Sequence, residues 1–481
     1  MLSATGRAGL AAAGGPAIAA ALARGAAFRR VLKPWPEALS LAAGVSIGLA
    51  RAHLSPAGPL AKAFAALDEP ERREASFDLA AGCAPLDLLA RVPFGVAPFD
   101  DPALSAVAEP RVEPSGQPSR RHLVLIAKLT RHCNLRCTYC NDWREGPGHG
   151  MPPAVQAAML RRAAEDADVG SVRIVWHGGE PALLGVRRSL AFLWLQARLR
   201  RPGQAIANSV QTNAVGLQAE MVDLWHAFGM RVSVSLDGTR AVHDRQRLTR
   251  RGEASFDAAA AGIALLRKAG IFSGALVVVS PEIAALPPRM LVSELLSAGV
   301  HEAAFLPVRP DAKDGAGPYL PPEAFARFLI GVFETLRSDR SLAFDARELD
   351  ALYLAYKGRP TGFCELNGPC LGDYFAIEAD GRAMHCDKFL GAEDYVLGNI
   401  LETGFAAMRA SRPMHKLQQR EAARRAALKD CRWYGHCQGW CPHEARIATL
   451  RGVANGCCGL APVFEHFAAL EAASLREAAH A

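Results

Sequence analysis

The chain has 481 residues, half of them apolar, which is material for two to four domains of ordinary size and excludes disorder over most of the length. Lys plus Arg (55) exceeds Asp plus Glu (48) by only seven, so a nucleic-acid protein built on a basic face is also excluded. Twelve cysteines in a chain of this length fall far below the density of a small disulfide scaffold.

Residues 1–118 are rich in Ala, Leu, Gly and Pro and read as a mainly helical region, with helices such as Pro36 to Ala50 and Pro59 to Ala66. Its longest charge-free apolar stretch, Ala8 to Ala23, is shorter than the roughly 20 residues of a transmembrane helix, so no membrane span is expected. Arg7 precedes that stretch as in a weak signal peptide, but Arg24, Arg29 and Arg30 follow with no clear cleavage site. A linker is expected from Glu109 to Ser119, where three prolines and a glycine interrupt any period.

Residues 119–340 alternate short β-branched runs with amphipathic helices. The predicted strands are Leu123 to Leu129, Val172 to Trp176, Ala205 to Gln211, Arg231 to Leu236, Phe272 to Val279 and Ala303 to Pro307. The predicted helices include Pro153 to Ala164, Arg187 to Leu199, Leu217 to Phe228, Phe256 to Lys268 and Pro322 to Arg337. Leu217, Met221, Leu224, Trp225 and Phe228 recur at helical spacing and read as a core-facing stripe. Six strands alternating with helices predict an α/β fold with parallel βα units, a barrel or open sheet with its active groups at the carboxyl ends of the strands. Residues 341–481 are rich in Cys and Gly, with weak periodicity from about Gly358 to Pro462. They read as a separate module stabilised by ligands rather than by a large apolar core, closed by a helix from Val463 to His480.

The cysteines fall into groups. Cys133, Cys137 and Cys140 form a CxxxCxxC loop directly after the first strand. Three thiolates on one tight loop hold three irons of a four-iron four-sulfur cube and leave the fourth open for chemistry, whereas electron-transfer clusters and structural zinc usually take four protein ligands. A zinc site completed by His132 is the alternative, and a disulfide framework fits poorly because the loop has an odd number of cysteines. Eight more cysteines lie in the last quarter and Cys83 stands alone.

The CxxxCxxC loop, with Tyr139 before its third cysteine, resembles the signature of the radical S-adenosylmethionine (radical SAM) enzymes. The resemblance covers roughly residues 122 to 310 and implies a partial (β/α)6 TIM-type barrel, in which the open iron binds S-adenosylmethionine and one electron cleaves it to a 5′-deoxyadenosyl radical. Further motifs arrive in family order. Gly178-Gly179-Glu180-Pro181 follows the second strand, and the resemblance places it beside the methionine amino group; a plain strand-to-helix turn is the other reading. Asn213 ends the third strand and Ser235 the fourth, and the resemblance gives Ser235 and Arg247 contacts to the cofactor's ribose and carboxylate. His243 and Asp244 read as turn-fixing residues.

The C-terminal cysteines are similar to a SPASM extension with two auxiliary four-iron clusters. By that resemblance Cys364, Cys370, Cys386 and Cys441 complete one, and Cys431, Cys437 and Cys457 or Cys458 serve the other. The usual pattern has a cysteine where this chain has Leu428, so an open iron, joint use of Cys457 and Cys458, and a non-cysteine ligand all stay open. Asp387, next to Cys386, resembles a proton-accepting residue of the anaerobic sulfatase maturases; a salt bridge or turn cap is the structural alternative.

The leading expectation is a radical SAM/SPASM maturase that abstracts hydrogen from a ribosomal precursor peptide and forms a side-chain crosslink. Conversion of Cys or Ser to formylglycine in a sulfatase is the alternative, and a non-catalytic iron-sulfur or zinc protein the third reading. Residues 1–118 would hold a precursor's leader or serve packing alone. Low-potential clusters imply the reducing cytoplasm, and the resemblance implies a flavodoxin- or ferredoxin-type electron donor. No nucleic-acid or membrane partner is expected.

Overall fold

The computed structural model describes residues 2–52, 58–108, 121–140, 142–143, 150–366, 368, 370–452, 457 and 459–480. The expected linker at Glu109 to Ser119 and the thiol of Cys458 lie outside these residues. One mixed sheet organises the molecule. Its strands are β1 (Arg121–Thr130), β2 (Val169–Gly178), β3 (Ala205–Thr212), β4 (Arg231–Ser235), β5 (Phe272–Val279), β6 (Glu302–Pro307), β7 (Asp345–Ala346), β8 (Tyr374–Ile377), β9 (Arg382–Met384) and β10 (Val396–Asn399). Their order is β10-β9-β8-β1-β2-β3-β4-β5-β6-β7. From β8 through β7 every pairing is parallel, while β8–β9 and β9–β10 are antiparallel.

All six expected strands form, shifted by at most three residues at either end, and β5 has the predicted limits. Helices Pro153–Glu165, Gly185–Leu199, Ala219–Ala227 and Phe256–Lys268 connect successive strands, as a parallel sheet requires. The core contains Trp176, Trp194, Trp225, Phe192 and Phe305, all fully buried. The stripe on the third helix is buried as expected at Leu217, Met221, Leu224 and Trp225.

The Cys-rich region adds strands to the same sheet. Its strand β8 pairs in parallel with β1, Val124 to Ala127 against Tyr374 to Ile377, so the C-terminal region continues the barrel sheet. The physical reason is that β1 is apolar and buried along nearly its whole length, and its edge away from β2 needs a partner for its backbone groups. This region also contains two helices that its weak periodicity did not announce, Arg412–Ala427 and Pro442–Leu450.

The N-terminal region is helical as expected. Its first helix, Ala4–Leu32, outruns the charge-free stretch and is long and apolar enough, by length and composition, to cross a membrane. Within the fold it breaks at Gly15-Pro16, where Gly15 has φ 72°. Arg7 and Arg29 pair with Asp78, a fully buried carboxylate on the helix Glu69–Cys83. Phe28 meets Phe228 edge-on and Arg30 grips Asp223 through both guanidinium arms, tying this helix to the barrel.

Candidate active site

The cysteine loop leaves the carboxyl end of β1. Leu135–Cys137 pairs with Arg247–Thr249 in a small antiparallel ribbon that sets Cys137 opposite Arg247. Cys133 lies within electrostatic reach of both Cys137 and Cys140, and the three free thiols are partly buried. Burial pushes Cys133 up to about 12 and Cys137 up to about 11, so it takes a bound cation to draw them into the thiolate form. Among the described residues no three Cys, His, Asp or Glu side chains converge on a single-ion site. Three thiols on one loop match a cube with one open corner better than a zinc ion, which usually takes four protein ligands.

The Gly178-Gly179-Glu180 turn clasps this loop. Gly179 and Glu180 donate their backbone N–H groups to the carbonyls of Thr130 and His132, each at 2.7 Å. The buried Glu180 carboxylate accepts from Thr212 Oγ1 at 2.7 Å, from the Ala182 N–H at 2.9 Å and from the Asn213 N–H at 2.7 Å, joining the ends of β2 and β3. Burial raises its pKa against those donors. Asn213 Nδ2 donates to Asn134 Oδ1 at 2.8 Å and reaches Cys133 Sγ at 3.6 Å. Ser235 accepts from Gln211 Nε2 at 2.8 Å.

Arg247 is buried, and its fork is turned onto Asp237, with Nε 2.8 Å and Nη2 3.2 Å from the carboxylate, while Nη1 faces Cys137 Sγ at 3.8 Å. The carboxylate that Arg247 grips in this structure thus belongs to the protein, in the Ser235-Leu236-Asp237-Gly238 turn. Tyr139 donates its hydroxyl to the same Asp237. His243 fixes this turn, as expected: its Nδ1 accepts the Asp237 N–H at 3.2 Å, and its Nε2 lies 3.0 Å from Ser255 Oγ.

Of the C-terminal thiols, the structure brings Cys364, Cys370, Cys386 and Cys441 together, Cys441 lying within electrostatic reach of each of the other three. Burial pushes Cys370 up to about 12 and raises the other three as well. Cys431 and Cys437 bracket a helical turn, Tyr434–Cys437. Leu428 ends the helix Arg412–Ala427 as a buried apolar cap, its carbonyl accepting the Cys431 N–H at 3.1 Å. It presents no ligand atom from its side chain.

Asp387 faces the barrel. Lys128 in β1 and His177 in β2 are partners in register, and both reach Asp387, at 3.7 Å from Nζ and 3.8 Å from Nε2. Lys128 also pairs with Asp142 at 2.7 Å, and Arg131 joins Asp142 to Glu378. Burial works to raise Asp387, but the Lys128 ammonium, with His177 acting in the same direction, outweighs it and holds the carboxyl down at about 2. Asp142 is likewise kept ionised against its burial, chiefly by Lys128.

Sequence reasoning passed over Lys128, Asp142 and His177. Lys128 did carry a signal, as the one charged residue in the apolar run Leu123 to Leu129, because a charge inside a buried strand needs a partner and marks a functional position. Asp142 and His177 flank recognised motifs but have no spacing of their own to announce them.

Comparison with known proteins agrees with this architecture. Residues 127–283 match the Radical SAM superfamily, and residues 369–438 match SPASM, an iron-sulfur cluster-binding domain. The chain is 31 % identical over 342 residues to the serine-type anaerobic sulfatase-maturating enzyme of Klebsiella aerogenes, across 69 % of this chain and 82 % of that one. It is 26 % identical to the cysteine-type enzyme of Clostridium novyi (strain NT), across 66 % of this chain and 87 % of that one. The structure of native anSMEcpe with bound AdoMet and Cp18Cys peptide has the same fold, with a TM-score of 0.61 and 23 % identity over 68 % of this chain and 90 % of that one. The protein is therefore a radical SAM enzyme with a SPASM domain, a member of the family that includes the anaerobic sulfatase-maturating enzymes, and its cofactors are S-adenosylmethionine and four-iron four-sulfur clusters.

Proposed function

We propose that this enzyme oxidises a serine or cysteine side chain within a peptide segment of a protein substrate to formylglycine. The observation that carries this reading is the position of Asp387, which reaches from the SPASM region to Lys128 and His177 at the carboxyl ends of β1 and β2. The relatives named above favour it over peptide crosslinking, because sulfatase maturation is the activity that their names state.

In this reading Cys133, Cys137 and Cys140 hold the cofactor-binding cluster, which supplies the electron that cleaves S-adenosylmethionine to a hydrogen-abstracting radical. The Gly178-Gly179-Glu180 turn and Asn213 would bound the methionine end of the cofactor, and Ser235, Tyr139 and Arg247 would contribute its remaining contacts. Loss of a hydrogen atom from the substrate Cβ must be followed by loss of one electron and of the hydroxyl or thiol proton, which leaves the aldehyde from serine and a thioaldehyde from cysteine. Water then converts the thioaldehyde to the aldehyde with release of hydrogen sulfide. Asp387 takes that proton. Its carboxylate is held ionised, and so is free to accept a proton. Cys364, Cys370, Cys386 and Cys441, and Cys431, Cys437 and Cys457 or Cys458, would hold auxiliary clusters able to accept that electron. A flavodoxin- or ferredoxin-type protein in the cytoplasm supplies the reducing electron.

The test is anaerobic turnover of serine- and cysteine-containing sulfatase peptides with S-adenosylmethionine and a reductant, read by mass spectrometry and by hydrazide capture of the aldehyde. An aldehyde at the Ser or Cys position is the expected product. A crosslinked peptide with no aldehyde would overturn this reading in favour of crosslinking.

A further inference from the structure

Lys388 follows Asp387 in sequence but points to a different set of partners, with its side chain only 16 % exposed. Its ammonium ion-pairs with Glu365 and donates towards Cys441 Sγ at 3.8 Å. The other oxygen of Glu365 accepts from the Cys364 thiol at 2.9 Å, so one carboxylate links the ammonium to a second cysteine of the same group. Lys388 acts electrostatically on all four thiols of that group, Cys364, Cys370, Cys386 and Cys441. Arg309 also lies near Cys441, but it is half-buried and paired with Glu444, whose charge opposes it there.

We propose that Lys388 sets the reduction potential of the auxiliary cluster on these four cysteines by holding a buried positive charge and an N–H donor at its Cys441 corner. The proposal rests on the assignment of the four cysteines as ligands made above. A cube on four thiolates is a net anion, and one added electron makes it more so. Glu365 offsets part of the ammonium's charge, most of all at Cys364, but at the Cys441 corner Lys388 is the stronger influence and its N–H points at the sulfur. Both a nearby positive charge and a hydrogen bond to a ligating sulfur favour the more negative state. The ion pair with Glu365 holds the ammonium in place, which makes Lys388 a positioning residue for electron acceptance rather than a catalytic one.

The experiment is an EPR-monitored redox titration of the full-length reconstituted chain, with iron and sulfide counted per chain. The auxiliary signal is identified in a background carrying Cys133→Ala, Cys137→Ala and Cys140→Ala. Lys388→Gln and Lys388→Met should keep the iron content but move the midpoint potential to more negative values. The expected fall in the reduced-to-oxidised ratio at the wild-type midpoint is about tenfold, about 59 mV for a one-electron couple. Lys388→Arg should stay near wild type. Unchanged potentials in both neutral variants at full iron content would overturn the proposal, as would loss of the cluster in both, which would make Lys388 structural. Cys441→Ser separates the failure of the ligand assignment: if that variant keeps the wild-type iron content and signal, the four-cysteine reading is wrong, whatever Lys388 does.

Discussion

The backbone N–H of Glu180 lies 2.7 Å from the carbonyl of His132, the residue before the first cysteine, so the turn after β2 is bonded directly to the loop after β1. Only glycine permits that approach. A Cβ on Gly179 would stand 2.0 Å from the His132 oxygen, and one on Gly178 would stand 1.9 Å from the Thr130 oxygen at a backbone φ of +125°. Gly179→Ala should therefore push the cysteine loop out of place, costing about 1–3 kcal/mol of stability and most of the S-adenosylmethionine cleavage. Thermal melts and 5′-deoxyadenosine yield measure both, and a variant that melts and cleaves like wild type would disprove the clasp.

Replacing Cys133, Cys137 and Cys140 by alanine removes three half-buried thiols and leaves the sheet pairings of β1 untouched. The variant should retain its circular dichroism spectrum, lose one cluster's worth of iron and fail to cleave S-adenosylmethionine under reducing conditions. Cleavage at a wild-type rate would remove the loop from the chemistry.

Asp387→Asn keeps the shape of the side chain and removes the proton acceptor. Cleavage of S-adenosylmethionine should persist, while formation of oxidised peptide should drop about 10²- to 10⁴-fold, the range expected for loss of a general base. Equal losses in both measurements would instead assign Asp387 to holding Lys128 and His177 in place.

Glu348 gives a prediction independent of the clusters. The outer edge of β6 is covered by β7 only at Glu302 and Ala303, and beyond it the buried Glu348 carboxylate accepts the Phe305 N–H at 2.6 Å. Burial pushes this carboxyl from its ordinary value near 4.5 up to about 8, with Glu365 adding to the rise and the Phe305 N–H and Arg347 opposing it. The folded state thus holds the proton more tightly than the unfolded chain. The stability from this tighter hold is complete below about pH 4.5 and is lost as the pH rises through about 8. Glu348→Gln keeps an acceptor for Phe305 without the charge. Its melting temperature should exceed that of wild type by a margin that grows from pH 5 to pH 8.5, by about a few degrees. A margin constant with pH would show that Glu348 does not titrate in this range.

The six core strands were legible because a parallel strand buried on both faces reads as a short apolar run, and helices with clear stripes separate these runs. The strands β7 to β10, of two to four residues each, were not, since so few residues establish no period. For the same reason the Cys-rich segment gave no hint that β8 would join β1.

Cysteine spacing is a local property, because three ligands of one cube on one loop must lie a few residues apart. Local spacing alone therefore marks the CxxxCxxC loop, the glycine turn after β2 and the candidate groups of C-terminal cysteines. What faces Asp387 was decided by tertiary structure alone. Lys128 and His177 meet through the register of β1 with β2, and Asp387 reaches them because β8 extends the sheet beyond β1. The turn of Arg247 onto Asp237 and the ammonium of Lys388 beside Cys441 arise in the same way. Such contacts join chain segments whose local patterns are independent of each other, and only the packing of the whole sheet fixes their distances.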